Sequence, residues 1–312
     1  MVKMQLDLAS RTLSLDGTLS CGQIFRWTKQ DGWWLGMVDG VPIKMRQTGE
    51  HLEVESSSPV AESRITRFLR LDDDLDSILE ELSRDDLIRR VFADVRGLRI
   101  VRQDPWECLI SYILSRNCSI PAIEGTLNRI CRRFGERVEW GGRILHRFPE
   151  PDSIFSAEPM GLVGCGLRYG RRQALELKEI ARLVSDGVMD FNALRRMPYE
   201  DARSMLISFD HGIGRKVSDC VLLFSLEKLE AFPVDVWVSR AVAELYQGRL
   251  NPELVRRVRG GSRLTAKDYD SISDFGRRLF GRYAGYAQEY LYHWVRLRAG
   301  VHLLQTSRQA SE

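Results

Sequence analysis

Of the seven lysines in the 312-residue sequence, Lys216 has the setting best suited to chemistry. It lies in Ser208–Cys220, SFDHGIGRKVSDC, just after Gly212-Ile213-Gly214 and in the first turn of a stretch with helical periodicity. A cation there is opposed by the positive end of the helix dipole. Burial against a substrate opposes its charge further. Both effects favour the neutral amine, the form a nucleophile needs. A surface lysine contacting phosphate fits the same segment. Lys3, Lys29 and Lys44 fall on or beside strands, and Lys178, Lys228 and Lys267 on polar helix faces or ends. Asp235 follows in AFPVDVWVSR, at a helix start. As an N-cap its side chain accepts from exposed backbone N–H groups, and such donors hold a carboxylate ionised. An ionised carboxylate stabilises the positive charge that develops on a sugar as its leaving group departs.

Gly212 and Gly214 permit a tight reversal between two helices and leave the N–H groups of the second helix bare enough to touch a phosphate. A helix-hairpin-helix of this kind grips duplex backbone without reading sequence. Taken alone, the glycines are first of all those of an ordinary tight turn.

The elements that must position these groups fall into two classes. Apolar alternation in Met4–Leu8, Leu13–Leu15 and Leu52–Val54, with the run WWLGMV, predicts antiparallel strands. Asp16-Gly17, Asp31-Gly32, Asp39-Gly40 and Thr48-Gly49 supply hairpin turn signals. From about Pro59 the period becomes helical, predicting helices over 59–70, 72–82, 84–94, 104–116, 120–134, 171–185, 199–208, 215–226, 235–246, 265–278 and 284–296. Asp104-Pro105 opens one of them, Asp152 reads as the cap of a short one, and Gly260–Ser262 reads as a loop. The expected fold is α+β: a small antiparallel sheet domain with flanking helices over 1–95, a two-lobed helical body over 96–304 and a polar tail over 305–312.

Composition excludes several classes. The chain is 44% apolar and 29% charged, as soluble globular domains are. No apolar run is long enough to span a bilayer, and the first residues carry no secretory signal, so an intracellular protein without a membrane partner is expected. Cys21, Cys108, Cys118, Cys131, Cys165 and Cys220 are scattered, which argues against zinc and iron–sulfur sites and fits a reduced compartment. Net charge is only +3, but arginine far outnumbers lysine. The guanidinium fork suits phosphate oxygens; genomic or thermal compositional bias would give the same excess.

Several segments, in order, resemble the 8-oxoguanine DNA glycosylases of the helix-hairpin-helix superfamily: Gly22–Trp27 (GQIFRW), Gly97–Asn117 (GLRIVRQDPWECLISYILSRN), Gly212–Cys220 (GIGRKVSDC), Pro233–Val236 (PVDV) and Tyr283–Tyr292 (YAGYAQEYLY). The similarity runs from about Leu6 to Arg298. It implies a base flipped out of the duplex into a pocket between helical lobes, since a stacked base cannot be reached. It makes Lys216 the nucleophile that leaves a Schiff base, with β-elimination to follow, and Asp235 its carboxylate partner. Gly22 matches the backbone carbonyl that accepts the N7 proton of 8-oxoguanine. Gln288 and Tyr292 match the base-edge and ring-stacking positions, and being four apart they share one helical face. Cys220 matches the cysteine lining the lesion pocket. Asn117 and Arg168 match residues that hold the orphaned cytosine. From the residues alone, Gly22 reads as a turn glycine and Tyr292 as a core aromatic. Cys220 likewise reads as part of the apolar stripe Val217, Cys220, Val221, Phe224, and Asn117 and Arg168 as surface residues.

The implied partner is double-stranded DNA carrying 8-oxoguanine opposite cytosine, bound by a monomer. No cofactor or metal is required, although backbone carbonyls of the hairpin could hold a monovalent cation. Four departures stand out. Asp210-His211 replaces Leu-Pro before the hairpin glycines, Ala122 an arginine that reads cytosine, Trp237 a histidine after PVDV, and Tyr292 a phenylalanine. Two other readings stand beside this one: a monofunctional glycosylase for another damaged base, which needs no lysine, and a non-catalytic DNA-binding module, which needs neither Lys216 nor Asp235.

Overall fold

The computed structural model describes the backbone of residues 2–309 and the side chains of residues 2–299. Near the N-terminus, alternating apolar residues build strands β1 (Val2–Asp7), β2 (Thr28–Gln30), β3 (Trp33–Val38), β4 (Val41–Thr48) and β5 (His51–Ser56), with helix α1 (Leu15–Ser20) after β1. The sheet order is β1-β5-β4-β3-β2, and every pair is antiparallel. Registers such as Met45↔Val54 and Leu6↔Leu52 put the apolar set on one face, where it packs with Leu15 and Leu19. Asp31, Gly32, Asp39, Gly40 and Gly49 turn with positive φ, as the turn signals predict.

The strand expected at Leu13–Leu15 is not formed. Ser14 accepts from the Gly17 N–H at 3.1 Å and starts α1 there. Leu15, Thr18 and Leu19 are then buried with helical spacing, and Asp16-Gly17 lies inside the helix instead of a hairpin turn.

The helical part runs through α2 (Glu62–Phe68), α3 (Leu75–Leu82), α4 (Asp86–Asp94), α5 (Pro105–Leu114) and α6 (Ile120–Phe134), then a hairpin of β6 (Arg137–Trp140) and β7 (Arg143–His146). It continues through α7 (Pro151–Ser156), α8 (Pro159–Val163), α9 (Gly170–Ser185), α10 (Phe191–Arg196), α11 (Tyr199–Ser208), α12 (Arg215–Ser225) and α13 (Val236–Leu245). It ends with α14 (Pro252–Arg259), α15 (Ala266–Phe280) and α16 (Ala284–Gln309). The β6–β7 hairpin and helices α8, α10 and α14 are additions to the expected set. They are short; α14 nonetheless buries Leu254, Val255 and Val258 at helical spacing behind the Asn251 cap and Pro252. Glu150, not Asp152, precedes α7, whose first position is Pro151. The last helix extends past the expected end at 296; residues 310–312 of the polar tail lie outside the described residues.

Two apolar cores result. The smaller holds the inner face of the sheet with α1, α2 and Val101. The larger holds α5, α12, α13 and α16 among others, and also takes in Leu75, Ile78 and Leu82 of α3 and Ile88, Val91 and Phe92 of α4. The apolar faces of α3 and α4, which lie on the sheet side of the expected boundary near 95, pack into the helical core. Gln23 latches the two parts together. Its amide donates to Thr18 O at 2.9 Å and Arg99 O at 2.7 Å, and its Oε1 accepts from Val101 N at 2.9 Å. This fixes the Cys21–Gln23 loop against the helical body.

Candidate active site

Helix α12 starts at the hairpin. Its N-cap, Gly214, is in extended backbone (φ −92°, ψ −176°) and gives no side-chain cap. A Cβ at Gly214 would meet nothing within 4 Å. Gly212 is different: φ is +92°, and a Cβ would lie 2.7 Å from the Arg116 guanidinium. The left-handed backbone is what requires glycine here. Asp210 and His211 also take positive φ, 56° and 45°. The hairpin thus turns through two strained residues where the related pattern has Leu-Pro.

Lys216 sits half-buried in the first turn of α12. Its Nζ donates to Ser115 Oγ at 2.9 Å and lies 4.8 Å from the centroid of the Tyr112 ring. Ser115 Oγ in turn donates to Tyr112 O at 2.8 Å. The amine is therefore held at a defined place by the end of α5.

Asp235 is the N-cap of α13, and its Oδ1 accepts from Trp237 N at 2.9 Å and Val238 N at 2.8 Å. Burial pushes its carboxyl above the usual range, against the pull of the Val238 N–H, the Lys216 charge and the Trp237 N–H. Backbone donors alone do not set its ionisation, because desolvation outweighs them. Cys220, one turn beyond Lys216 and 3% exposed, has its thiol pushed up to about 12 by burial although the Lys216 charge pulls it down. It is a packing thiol, not a thiolate.

Lys216, Asp235, Cys220, Gly22, Gln288, Tyr292 and Asn117 all line one cleft of about 1380 Å³. Gly22 has φ +102°, and a Cβ there would come within 2.8 Å of Arg296 Nη1 and Ile120 Cδ1 and 3.2 Å of Tyr292 Oη. Only glycine fits this wall. The neighbouring carbonyls are occupied: Arg296 donates to Cys21 O, and Gln103 and Tyr112 donate to Gln23 O. Gly22 O accepts no hydrogen bond among the described residues. Gln288 is 4% exposed, and its Oε1 is buried with no partner among the described residues. Tyr292 is half-buried, with Arg296 over its ring at 5.1 Å.

Asn117 turns the chain after α5 with φ +54°, and its amide donates to Tyr169 Oη at 2.6 Å. Arg168 is exposed on the turn before α9 and is not among the lining residues, though its neighbour Tyr169 is. Gly212 is likewise outside the lining but packs against Arg116, which is within it. Arg116, Arg172, Arg215, Arg240, Arg263 and Arg296 also line the cleft, against Glu176, Asp235 and Glu289. The excess of guanidinium suits a polyanion. Among the described residues, no cluster of three His, Cys, Asp or Glu is placed to hold a metal ion.

The profile of the 8-oxoguanine DNA glycosylase N-terminal domain matches residues 5–109, and that of the HhH-GPD superfamily of base excision DNA repair proteins matches 110–259. An Arabidopsis thaliana N-glycosylase/DNA lyase is 30% identical, over 97% of this chain and 83% of its own. The chain belongs to the 8-oxoguanine DNA glycosylase family. A probable N-glycosylase/DNA lyase of Methanothermobacter thermautotrophicus is 29% identical over 91% of this chain and 92% of its own. The 8-oxoguanine glycosylase/lyase of Clostridium acetobutylicum, solved with double-stranded DNA containing cytosine opposite 8-oxoguanine, superimposes with a TM-score of 0.81 at 30% identity, covering 93% of each chain.

Four site residues of this family member escaped the sequence reading. Ser115 and Tyr112 lie in a quoted segment, but nothing in their types singles them out. Arg296 shares the face of Gln288 and Tyr292 at the same four-residue step, a signal that could have found it. Glu289 is 2% exposed, lines the cleft, and keeps Oε1 unpartnered among the described residues; burial pushes its carboxyl up to about 7.

Proposed function

We propose that this chain is a base-excision repair glycosylase that flips 8-oxoguanine from duplex DNA, removes it through Lys216 and then nicks the strand by β-elimination. The placement of the Lys216 amine in one cleft with Asp235 carries this reading. The amine lone pair attacks C1′, and the C1′–N9 bond breaks with its electron pair leaving on the base, which takes up a proton. Asp235 stabilises the positive charge on the sugar during departure. The attached nitrogen gives up a proton, matching the one taken by the base, and its freed lone pair then forms C1′=N as the C1′–O4′ bond opens and O4′ takes up a proton. Loss of a C2′ proton from this Schiff base expels the 3′ phosphate.

Two unfilled acceptors support the lesion assignment. 8-Oxoguanine carries an N7–H that guanine lacks, and the Gly22 carbonyl is free to accept it. Gln288 Oε1 can accept from the base's Watson–Crick edge, while Tyr292 and Cys220 offer the walls that sandwich the ring. Asn117 and Arg168, on adjoining turns, are assigned to the cytosine left behind. Ala122 is exposed in the first turn of α6 and brings no donor to that cytosine, so discrimination of the opposite base rests on fewer contacts. Gly212 and Gly214 present the hairpin to a backbone phosphate. The carbonyls of His211 and Gly212 enter no backbone hydrogen bond among the described residues, which suits a monovalent cation at the turn. Such an enzyme works inside the cell, where its DNA is, as a monomer.

Borohydride trapping tests the assignment on duplexes carrying 8-oxoguanine opposite each of the four bases, with wild type and Lys216→Gln. A lesion-dependent adduct in wild type alone is expected, strongest opposite cytosine and detectable opposite other bases. Base release without an adduct would instead make the enzyme monofunctional, with Asp235 activating water.

A further inference from the structure

Asp219 lies on α12 three residues after Lys216, with no exposed surface. Its carboxylate accepts from Tyr199 Oη at 2.7 Å, Arg203 Nε at 2.9 Å and Tyr269 Oη at 2.6 Å. Tyr199 and Arg203 come from α11, and Tyr269 from α15. The Tyr269 hydroxyl has a second partner: it accepts from the backbone N–H of Val234 at 3.3 Å. Val234 directly precedes Asp235. One hydroxyl therefore joins the helix of the nucleophile to the backbone of its carboxylate partner.

We propose that Asp219 and Tyr269 are positioning residues that clamp the Pro233–Asp235 backbone to α12 and so set the placement of Asp235 against Lys216. This inference rests on the functional reading above and deepens it. Lys216 itself is tethered to α5 through Ser115, and Asp235 is tethered to its own helix start. Neither tether spans the two groups; the Asp219–Tyr269–Val234 relay does. Departure of the base needs both groups at once. Imine formation on an abasic site whose base is already gone needs the amine but not charge stabilisation during departure. Loosening the relay should therefore slow excision more than it slows covalent capture of an abasic site.

Tyr269→Phe removes the hydroxyl and keeps the ring that lines the cleft. Tyr199→Phe is the matched control: it removes a hydrogen bond of the same kind from the same carboxylate but leaves the link to Val234. Three quantities are measured for wild type and both variants: single-turnover release of 8-oxoguanine, borohydride capture on a duplex with a preformed abasic site, and thermal midpoint. Tyr269→Phe is expected to slow release about 10- to 100-fold, the scale of a small misplacement of reacting groups, with capture near wild type. Tyr199→Phe is expected to lower the thermal midpoint while leaving the ratio of release to capture as in wild type. A wild-type ratio in Tyr269→Phe would overturn the clamp, as would parallel loss of release and capture in both variants. Wild type that neither releases nor captures would remove the functional reading, and the clamp with it.

Discussion

Two helix starts face the same cleft and are finished in opposite ways. At α12 the cap is Gly214, no side chain serves the first-turn N–H groups, and a lysine stands where the dipole disfavours it. At α13 the cap is Asp235, whose single oxygen takes two of those N–H groups. On the proposed reading, the bare start keeps its donors for an outside anion. The capped start spends its donors on an inside anion and fixes it. On that reading, the same four unsatisfied groups that every helix start carries serve binding at one site and electrostatics at the other.

Separating charge from cap breaks the comparison most sharply. Asp235→Asn keeps a good capping oxygen and loses the charge, so excision should fall about 10²- to 10³-fold while thermal stability stays close to wild type. Asp235→Ala loses both and should additionally destabilise by about 1 kcal/mol. Equal destabilisation of the two variants in calorimetry would show that the charge, not the cap, holds α13.

The converse experiment finishes the bare start. The Gly214 backbone is extended and open, so Ser fits without strain. Gly214→Ser should gain a few tenths of a kcal/mol in stability and weaken binding to undamaged duplex about 2- to 10-fold, the worth of one phosphate hydrogen bond. Unchanged affinity in a titration at fixed salt would mean that those N–H groups do not meet phosphate.

The smallest effect concerns an acid that neither start serves. Burial raises Glu289 from an ordinary 4.5 to about 7, and no backbone donor offsets it. Between those values the folded protein holds a proton that the unfolded chain has released, so stability falls as pH rises through this window. Glu289→Gln should match wild type at pH 4 and melt a few degrees higher at pH 8. A constant difference across that range would show that Glu289 does not titrate as its burial dictates.

How much of this was legible follows the same division. The lysine after the hairpin glycines, the capping aspartate and the helical pair Gln288/Tyr292 announce themselves locally, because dipole, cap and period are short-range physics. Gly22 looks like any turn glycine. Its need for glycine comes from a backbone φ of +102°, and the side chains of Arg296, Ile120 and Tyr292 that crowd it approach from two distant helices. The Leu13–Leu15 strand failed because a serine cap outweighed three residues of alternation. Asp219 was invisible as well: its partners stand 16, 20 and 50 residues away, and no pattern within α12 marks a buried carboxylate.

The bond from Arg296 to the Cys21 carbonyl spans 275 residues of chain. The wall that would judge a base is therefore assembled from the first and last parts of the described fold, with Lys216 in between. During synthesis the lysine and the hairpin emerge long before the helix that completes the wall. The wall is therefore complete only once the closing helix has packed back against the loop that follows the first helix of the chain.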